Sequence, residues 1–213
     1  MRGELGREPV CTLMRTADIR VCFIGDSFIN GTNDPECLGW TGRVAASARR
    51  KGYNLTSYNL GIRRETSSDI AQRWFAEAQP RLPRHCKSGI VFSFGVNDTT
   101  LEDGQVRVPE ARSVENTRQI LSAATRLATV LMIGPPPTAD AEQNGRIDVL
   151  SRRLHVVAEQ ATVPFLSVFE PLRQDSVWMS EVSADDGAHP RAEGYARLAA
   201  LVEGWAHWWF PKG

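Results

Sequence analysis

The sequence lacks several features that mark common classes of protein. Lys and Arg together number 25 and Asp and Glu together number 25, so no net charge draws the chain toward a nucleic-acid backbone or an anionic membrane surface. No run approaches the roughly 20 apolar residues that cross a bilayer. There is also no internal repeat, low-complexity stretch or linker. We therefore expect neither nucleic-acid binding nor a membrane span.

Cysteine is scarce, and its spacing has neither a metal-binding nor a disulfide pattern. No CxxC pair occurs, and two of the four cysteines lie in or beside apolar runs, where a buried thiol packs well. We interpret them as reduced thiols: Cys11, Cys22, Cys37 and Cys86. HExxH is absent and no pair of His or Cys has ligand spacing, so we expect no metal and no cofactor.

The start of the chain does not have the pattern of a secretory signal. Glu4, Glu8 and Pro9 precede any apolar run, whereas a signal has a basic start followed by an apolar stretch. Residues 1–17 have mixed polarity and no clear period, which predicts an irregular N-terminal arm. The simplest interpretation is a cytoplasmic protein. A chain from which a leader has been removed would look the same.

Length and hydrophobic periodicity predict the fold. A chain of 213 residues, 42% hydrophobic, suits one domain with one sizeable core over residues 1–213. Five short apolar runs, four of them followed by or ending at glycine, predict strands buried on both faces of a parallel sheet. The predicted strands are 19–24, 54–60, 89–94, 129–133 and 163–168.

Segments with helical spacing separate these runs. Ile147, Leu150, Leu154 and Val157 recur at offsets of three and four, which places them on one helix face. Strands that alternate with helices imply right-handed crossovers and a covered parallel sheet. We predict a three-layer α/β/α fold of flavodoxin type with a five-stranded parallel sheet. The predicted helices are about 40–51, 68–79, 114–127, 147–161 and 192–208.

Residues with chemical potential follow the first three predicted strands. Ligands of an open parallel sheet bind at the carboxyl ends of the strands, near the point where strand order reverses. Ser27 comes just after the first strand, Gly61 terminates the second, and Asn97 comes just after the third. The sequence therefore predicts that these three residues meet at one edge of the sheet.

Ser27 is the candidate nucleophile. It lies in Gly25-Asp26-Ser27-Phe28, a turn from strand to helix in which Gly25 can adopt a backbone angle that other residues resist. The free N–H groups at a helix start favour a developing oxyanion. The alternative is an ordinary capping serine, since serine is common at that position.

His189 is the candidate general base, because a serine hydroxyl needs a neighbouring base to take its proton. Asp186 stands three residues earlier in the same loop, where its carboxylate can fix the imidazole tautomer. An acidic turn that caps the last helix would explain the aspartate but not a histidine followed by proline. Three other histidines lie in surface or packing contexts: His85, His155 and His207.

Three groups are candidate donors to an oxyanion: the N–H of Ser27, the N–H of Gly61 and the side-chain amide of Asn97. Each also has a purely structural explanation, because glycine and asparagine are common in turns. It is their coincidence with Ser27 and His189 that favours the functional interpretation.

These positions, in this order, resemble the four blocks of the SGNH (GDSL) hydrolase family. Gly25-Asp26-Ser27-Phe28 resembles the first block, with Phe28 where the family usually has leucine, and the remaining blocks resemble 59–61, 95–98 and 186–190. Gly194-Tyr195 also looks like that family's final helix. The resemblance spans residues 19 to about 205. It implies a flavodoxin-like fold, a metal-free mechanism with Ser27, His189 and Asp186, and an oxyanion hole of Ser27, Gly61 and Asn97.

The expected substrate is a small-molecule carboxylic ester. The pocket is expected to include Phe28, Trp40 and Pro136, and the few long insertions favour small or short-acyl esters. Thioesters, sugar acetates and acyl transfer to another alcohol remain alternatives. A different class of function is a phosphate-binding module that uses the turn at Ser27. The chain lacks the GxSxG motif of the larger α/β-hydrolases.

The oligomeric state is expected to be a monomer or a homodimer. The chain ends in an unusually aromatic tail, in which Trp208, Trp209 and Phe210 follow one another. Such residues more often pin a terminal helix to the core than form a subunit contact.

Overall fold

The computed structural model describes residues 17–211, so the expectation of an irregular N-terminal arm and the thiol of Cys11 lie outside the described residues. Five parallel strands form the main sheet. They are β1 (Ile19–Gly25), β2 (Leu55–Gly61), β3 (Lys87–Ser93), β6 (Thr129–Ile133) and β7 (Phe165–Leu166). A small antiparallel hairpin consists of β4 (Leu101–Glu102) and β5 (Gln105–Val106).

Helices connect the strands. They are α1 (Ser27–Asn30), α2 (Gly39–Arg50), α3 (Ser67–Ala78), α4 (Glu110–Ala124), α5 (Ala141–Gln160), α6 (Phe169–Arg173), α7 (Ser176–Ala184) and α8 (Ala192–Gly204). Two 3-10 helices cover Gln79–Arg81 and Asn97–Thr99.

Alternate residues of the strands point to opposite faces of the sheet, and each face carries its own buried cluster. Phe23 and Val91 belong to the cluster that includes residues of α2, α6, α7 and α8. Ile24 and Phe92 belong to the cluster that includes residues of α3, α4 and α5. The two clusters give three layers, with the sheet in the middle.

The sheet order is β2-β1-β3-β6-β7, which is the 2-1-3-4-5 order of flavodoxin-like folds. The predicted five-stranded α/β/α fold is thereby confirmed. The chain leaves β1 toward β2 on one side and then returns to β3 on the other, so the strand order reverses at β1. The carboxyl end of β1, where Gly25 leads to Ser27, therefore lies at the crevice in which this architecture binds ligands.

The structure differs from the sequence prediction at several elements. The predicted last strand, 163–168, pairs only at Phe165 and Leu166. The predicted last helix ends at Gly204, because Trp205 adopts an extended backbone. Helices α6 and α7 and the hairpin were not predicted. Helix α7 buries only Trp178 and Val182, a stripe too narrow to mark a helix by its periodicity.

The aromatic tail packs against the core. Trp208 and Phe210 are buried, and the ring of Phe210 lies 5.0 Å from that of Tyr53. Among the helices within residues 17–211, none combines the length and apolar character needed to cross a bilayer. The cysteines Cys22, Cys37 and Cys86 have free thiols.

Candidate active site

The turn after β1 places Ser27 at the sheet edge. Gly25 lies so close to β3 that an added Cβ would stand 1.8 Å from the backbone oxygen of Ser93, so only glycine fits there. Asp26 then caps α1, because its carboxylate accepts the N–H of Phe28 at 3.0 Å. Ser27 is the first residue of that helix, and only 3% of its surface is exposed. Its own N–H has no acceptor one turn earlier in the helix.

His189 meets Ser27 across the fold. The Nε2 atom of His189 lies 2.7 Å from the Oγ atom of Ser27, although 162 residues separate them in the chain. The imidazole is buried and stacks at a tilt on Phe28, with 4.8 Å between the ring centres. Because packing and the hydrogen bond both hold the ring, its position toward the hydroxyl is well defined.

Asp186 holds the other side of the imidazole. Its Oδ2 atom lies 2.7 Å from His189 Nδ1, and its Oδ1 atom accepts the N–H groups of Ala188 at 2.9 Å and His189 at 2.8 Å. Partial burial by itself raises the pKa of Asp186, but the hydrogen bonds from His189 and Ala188 outweigh it and lower the pKa to about 2. An ionised carboxylate only accepts, so Nδ1 carries the proton and Nε2 is left to accept the Ser27 hydroxyl. This arrangement can move a proton from oxygen to nitrogen.

Asn33 also contacts the carboxylate, and the sequence prediction missed it. Its side-chain amide donates to Asp186 Oδ2 at 3.0 Å. Asn33 has a φ of 68°, a left-handed conformation that asparagine tolerates better than most residues. The loop that carries it is held by Asp34, which accepts the N–H of Gly39 at 2.7 Å and pairs with Arg43. Asn33 and Asp186 are 153 residues apart, and no sequence motif joins them.

Gly61 lies against the turn of α1. An added Cβ would stand 2.2 Å from the backbone nitrogen of Asn30 and 2.7 Å from the backbone oxygen of Asp26, so the position requires glycine. Its N–H donates to the side-chain oxygen of Asn59 at 3.0 Å. The side-chain nitrogen of Asn59 donates in turn to the backbone oxygen of Ile29 at 2.8 Å. A substrate oxygen at this N–H would share it with Asn59 or replace it.

Asn97 stands in the 3-10 helix that follows β3. Its side-chain amide donates to the backbone oxygen of Glu65 at 2.9 Å. A primary amide carries two hydrogens, so a second one remains to meet a substrate. Gln143 holds the same loop, because it donates to the backbone oxygen of Val96 at 3.1 Å and to the Thr100 hydroxyl at 3.1 Å.

The three residues expected to line the pocket differ in their placement. Phe28 lies beneath the imidazole of His189 and stacks on Trp178 at 6.3 Å. Pro136 is buried in the loop between β6 and α5. Trp40 is fully buried in the core, edge-on to Phe23 at 5.6 Å. Phe28 is also buried, with 2% of its surface exposed, so burial does not separate these residues and their assignment to a pocket stays a prediction.

The remaining histidines lie apart from this arrangement. His85, His155 and His207 are exposed, and His155 stacks on Phe165. No group of three or more His, Cys, Asp or Glu residues suited to hold a metal ion occurs within the part of the chain that the structure describes.

Asp26 is a buried carboxyl group with an unusual environment. Only 1% of its surface is exposed, and its Oδ2 atom has no hydrogen-bond partner among residues 17–211. Burial, together with the nearby negative charge of Asp98, raises the pKa of Asp26 to about 7, although the N–H of Phe28 opposes the shift. The residue next to the candidate nucleophile is therefore protonated through the mildly acidic range.

This raised pKa predicts how stability depends on pH. Between pH 4 and pH 7 the unfolded state releases the Asp26 proton while the folded state keeps it, so the free energy of unfolding falls as pH rises. We expect Asp26→Asn to keep the helix cap. Above pH 7 the variant should be more stable than the wild type, because it lacks the decrease in the free energy of unfolding that ionisation of Asp26 causes, which is at most about 4 kcal/mol. Urea unfolding of both proteins at several pH values measures the difference. Parallel pH curves would contradict the assignment.

Comparison with known proteins supplies the family. The model of the GDSL-like lipase/acylhydrolase family matches residues 23–197, whereas no curated protein matches. The lipase/acylhydrolase from Enterococcus faecalis is 22% identical, over 86% of this chain and 92% of that chain, with a TM-score of 0.71. A catalytic mutant of Axe2, an acetylxylan esterase from Geobacillus stearothermophilus, is 16% identical, over 91% of this chain and 96% of that chain, with a TM-score of 0.73. Both structures share the fold.

The family match covers most of the chain and includes the turn at Ser27 and the loop of His189. It agrees with the order of motifs in the sequence and with the geometry at the carboxyl end of β1. This chain belongs to the GDSL-like lipase/acylhydrolase family of carboxylic ester hydrolases.

Proposed function

We propose that the protein hydrolyses small or short-acyl carboxylic esters through an acyl-enzyme, with Ser27 as nucleophile, His189 as general base and Asp186 as the residue that orients the histidine. One observation carries the proposal: Ser27 Oγ lies 2.7 Å from His189 Nε2, and a carboxylate occupies the other imidazole nitrogen. This is the contact that a serine hydroxyl needs to become a nucleophile.

In the first half of the reaction, His189 Nε2 takes the Ser27 proton while Oγ bonds to the ester carbonyl carbon. The carbonyl electron pair moves to its oxygen, which becomes the oxyanion. The intermediate then expels the alcohol oxygen, which takes the proton from Nε2, and the acyl group stays on Ser27. Asp186 stabilises the imidazolium that exists between the two proton transfers.

In the second half, a water molecule loses a proton to His189 Nε2 and attacks the acyl carbon. Collapse of the second intermediate breaks the bond to Ser27, whose oxygen takes the proton back. The carboxylic acid leaves and the starting state returns. The same imidazole therefore serves as base and acid in each half.

The oxyanion is assigned to three donors: the N–H of Ser27, the N–H of Gly61 and the Asn97 amide. Support comes from the placement of Ser27 at the start of α1, from the contact of Gly61 with that turn, and from the second hydrogen of the Asn97 amide. The Gly61 N–H must leave Asn59 or be shared with it.

The short-acyl preference is supported by the loops at the carboxyl ends of the strands. Residues 31–38 connect α1 to α2, residues 62–66 connect β2 to α3 and residues 134–140 connect β6 to α5, while a 3-10 turn and the small hairpin lie between β3 and α4. Such loops offer little wall for a long acyl chain. Axe2, whose fold this chain shares, is an acetylxylan esterase, and sugar acetates are one class of short-acyl ester that fits this expectation.

A fluorophosphonate probe tests the nucleophile directly. It bonds covalently to an activated serine, whereas a phosphate-binding turn would leave it unreacted. We expect a single adduct on Ser27, located by peptide mass spectrometry, and none in Ser27→Ala. An unlabelled wild-type protein would refute the proposed nucleophile.

A series of p-nitrophenyl esters tests the acyl preference. We expect kcat/KM for acetate and butyrate to exceed that for octanoate by about tenfold or more, because the additional methylenes find no matching apolar wall. Acetylated xylo-oligosaccharides and an acetyl thioester, measured beside them, compare leaving groups. A rate that rises with acyl length would contradict the short-acyl assignment while leaving the serine mechanism intact.

A further inference from the structure

Arg73 reaches from α3 to the carboxyl ends of β1 and β2. Its Nη2 atom donates to the backbone oxygen of Gly25 at 3.0 Å and to the backbone oxygen of Leu60 at 2.9 Å. Only 15% of its side chain is exposed. The guanidinium therefore joins the two strand ends that precede Ser27 and Gly61.

The contact with Leu60 acts on the Gly61 N–H. The carbonyl of Leu60 and the N–H of Gly61 belong to one planar peptide unit, in which the two groups point in opposite directions. Holding the oxygen therefore sets the direction of the N–H. A cation on the oxygen also polarises the peptide and makes the N–H a stronger donor.

The contact with Gly25 acts on the turn that carries Ser27. The same oxygen accepts the N–H of Ile62 at 3.1 Å, so β1 and the chain beyond β2 are tied together at this point. Asp26 alone separates Gly25 from Ser27. The position of the Ser27 N–H therefore depends on the peptide that Arg73 holds.

Glu65 extends the connection to Asn97. Its carboxylate accepts Arg73 Nε at 2.6 Å, and only 15% of its side chain is exposed. The backbone oxygen of the same residue accepts the Asn97 amide at 2.9 Å. One residue thus fixes both the arginine and the amide, and leaves the second amide hydrogen for a substrate.

We propose that the Arg73–Glu65 ion pair is a positioning unit for the oxyanion hole, which aligns the Ser27 N–H, the Gly61 N–H and the Asn97 amide together. The inference rests on the proposed function, since it presupposes an oxyanion at these donors. Neither residue touches the reacting atoms. If the ion pair only attached α3 to the sheet, its loss would lower the stability of the fold without changing how strongly the three donors stabilise an oxyanion.

The experiment compares an ester with its thiono analogue. Sulfur accepts hydrogen bonds poorly, so the thiono substrate gains little from the oxyanion donors, and the ratio of the two rates reports on their alignment. Arg73→Lys keeps the charge but cannot reach both carbonyls and Glu65 at once. Glu77→Gln is the matched control, because Glu77 pairs with Arg73 Nη1 at 3.2 Å without contact to either strand end.

With p-nitrophenyl acetate, we expect Arg73→Lys to lower kcat about tenfold to a hundredfold, with KM changed less than about threefold. The ratio of oxo to thiono rates falls by about tenfold, because the thiono reaction loses less. Glu77→Gln keeps the wild-type ratio. A folded Arg73→Lys protein with a wild-type ratio, or with both rates lowered equally, would overturn the proposal.

Two further variants complete the experiment. Glu65→Gln keeps the shape of the side chain and weakens its hold on Arg73, so its ratio should fall in the same direction but less. If Arg73→Lys does not fold, Glu65→Gln tests the proposal by itself, and an unchanged ratio of oxo to thiono rates in Glu65→Gln then rejects the positioning role. Ser27→Ala separates the two proposals: full activity there would remove the serine mechanism, whereas loss of activity there with a wild-type ratio in the Arg73 variant removes only this inference.

Discussion

Ser27→Ala is expected to lower kcat for p-nitrophenyl acetate by about 10⁴-fold to 10⁶-fold while the protein stays folded. The reason is that Ser27 supplies the only side-chain oxygen that hydrogen-bonds to His189 Nε2 within the described part of the chain, so no other group there can form the acyl-enzyme. Alanine removes one buried atom at the first residue of α1 and leaves the cap from Asp26 to Phe28 in place. Stopped-flow or steady-state assays, with thermal unfolding as the check on folding, measure the effect.

Ser176→Ala is the matched control. Ser176 is also the first residue of a helix that is capped by a preceding aspartate, since Asp175 accepts the N–H groups of Val177 and Trp178. It differs from Ser27 in being exposed and in having no hydrogen bond to a histidine among the described residues. We expect wild-type kcat in this variant. If Ser27→Ala retained comparable activity, the serine mechanism would have to be abandoned.

Asp186→Asn should lower kcat by about 10³-fold to 10⁴-fold, a larger loss than the small change in shape suggests. The side-chain oxygen of asparagine can still accept the N–H groups of Ala188 and His189, as Oδ1 does now. The amide nitrogen then faces His189 Nδ1, and a donor there leaves the imidazole with its proton on Nε2. That tautomer cannot accept the Ser27 proton, and the same amide nitrogen would also face the donor of Asn33.

Asn33→Gly tests how the orientation of the Asp186 carboxylate affects kcat, because the variant leaves the charge of Asp186 unchanged. Glycine accepts the left-handed backbone at this position without strain, so only the hydrogen bond to Asp186 is lost. We expect a decrease in kcat of only about threefold to tenfold, because one donor of four is removed and the tautomer is kept. Cys37→Gly is the matched control: Cys37 lies in the same loop at a φ of 54°, its thiol is exposed, and its backbone N–H donates to Asp34, so this variant should leave kcat unchanged. Equal losses in Asp186→Asn and Asn33→Gly would contradict the tautomer argument.

Periodicity predicted the main strands because they are short and apolar at nearly every position. A strand of a parallel sheet is buried on both faces, so β1 and β3 are recognisable without any partner. The family was predicted from four short motifs, three of which lie at or just after strand ends, where turns demand specific residues. Gly25 is one such residue, because the backbone oxygen of Ser93 in β3 leaves no room for a Cβ at this position.

The residues that sequence reasoning missed act through contacts between distant segments. Asn33 reaches Asp186 only because the loop after α1 and the loop before α8 lie together in the fold. Arg73 looks like an ordinary helix charge in sequence, yet its guanidinium binds two strand ends. Trp40 shows the limit of a local pattern, because an aromatic residue near a predicted pocket and a core aromatic look alike in sequence, and only the structure shows that its side chain is fully buried.

By itself, the sequence determined the α/β class, the order of the main strands along the chain and the candidate serine, histidine and aspartate, because alternation of apolar runs and fixed turn residues are local properties. Only the tertiary structure decided which hydrogen-bond donors surround these residues, which carboxyl groups are buried and how the strand ends are held. Those properties depend on distances between segments that are far apart in the chain. Such distances arise only when packing brings the segments together.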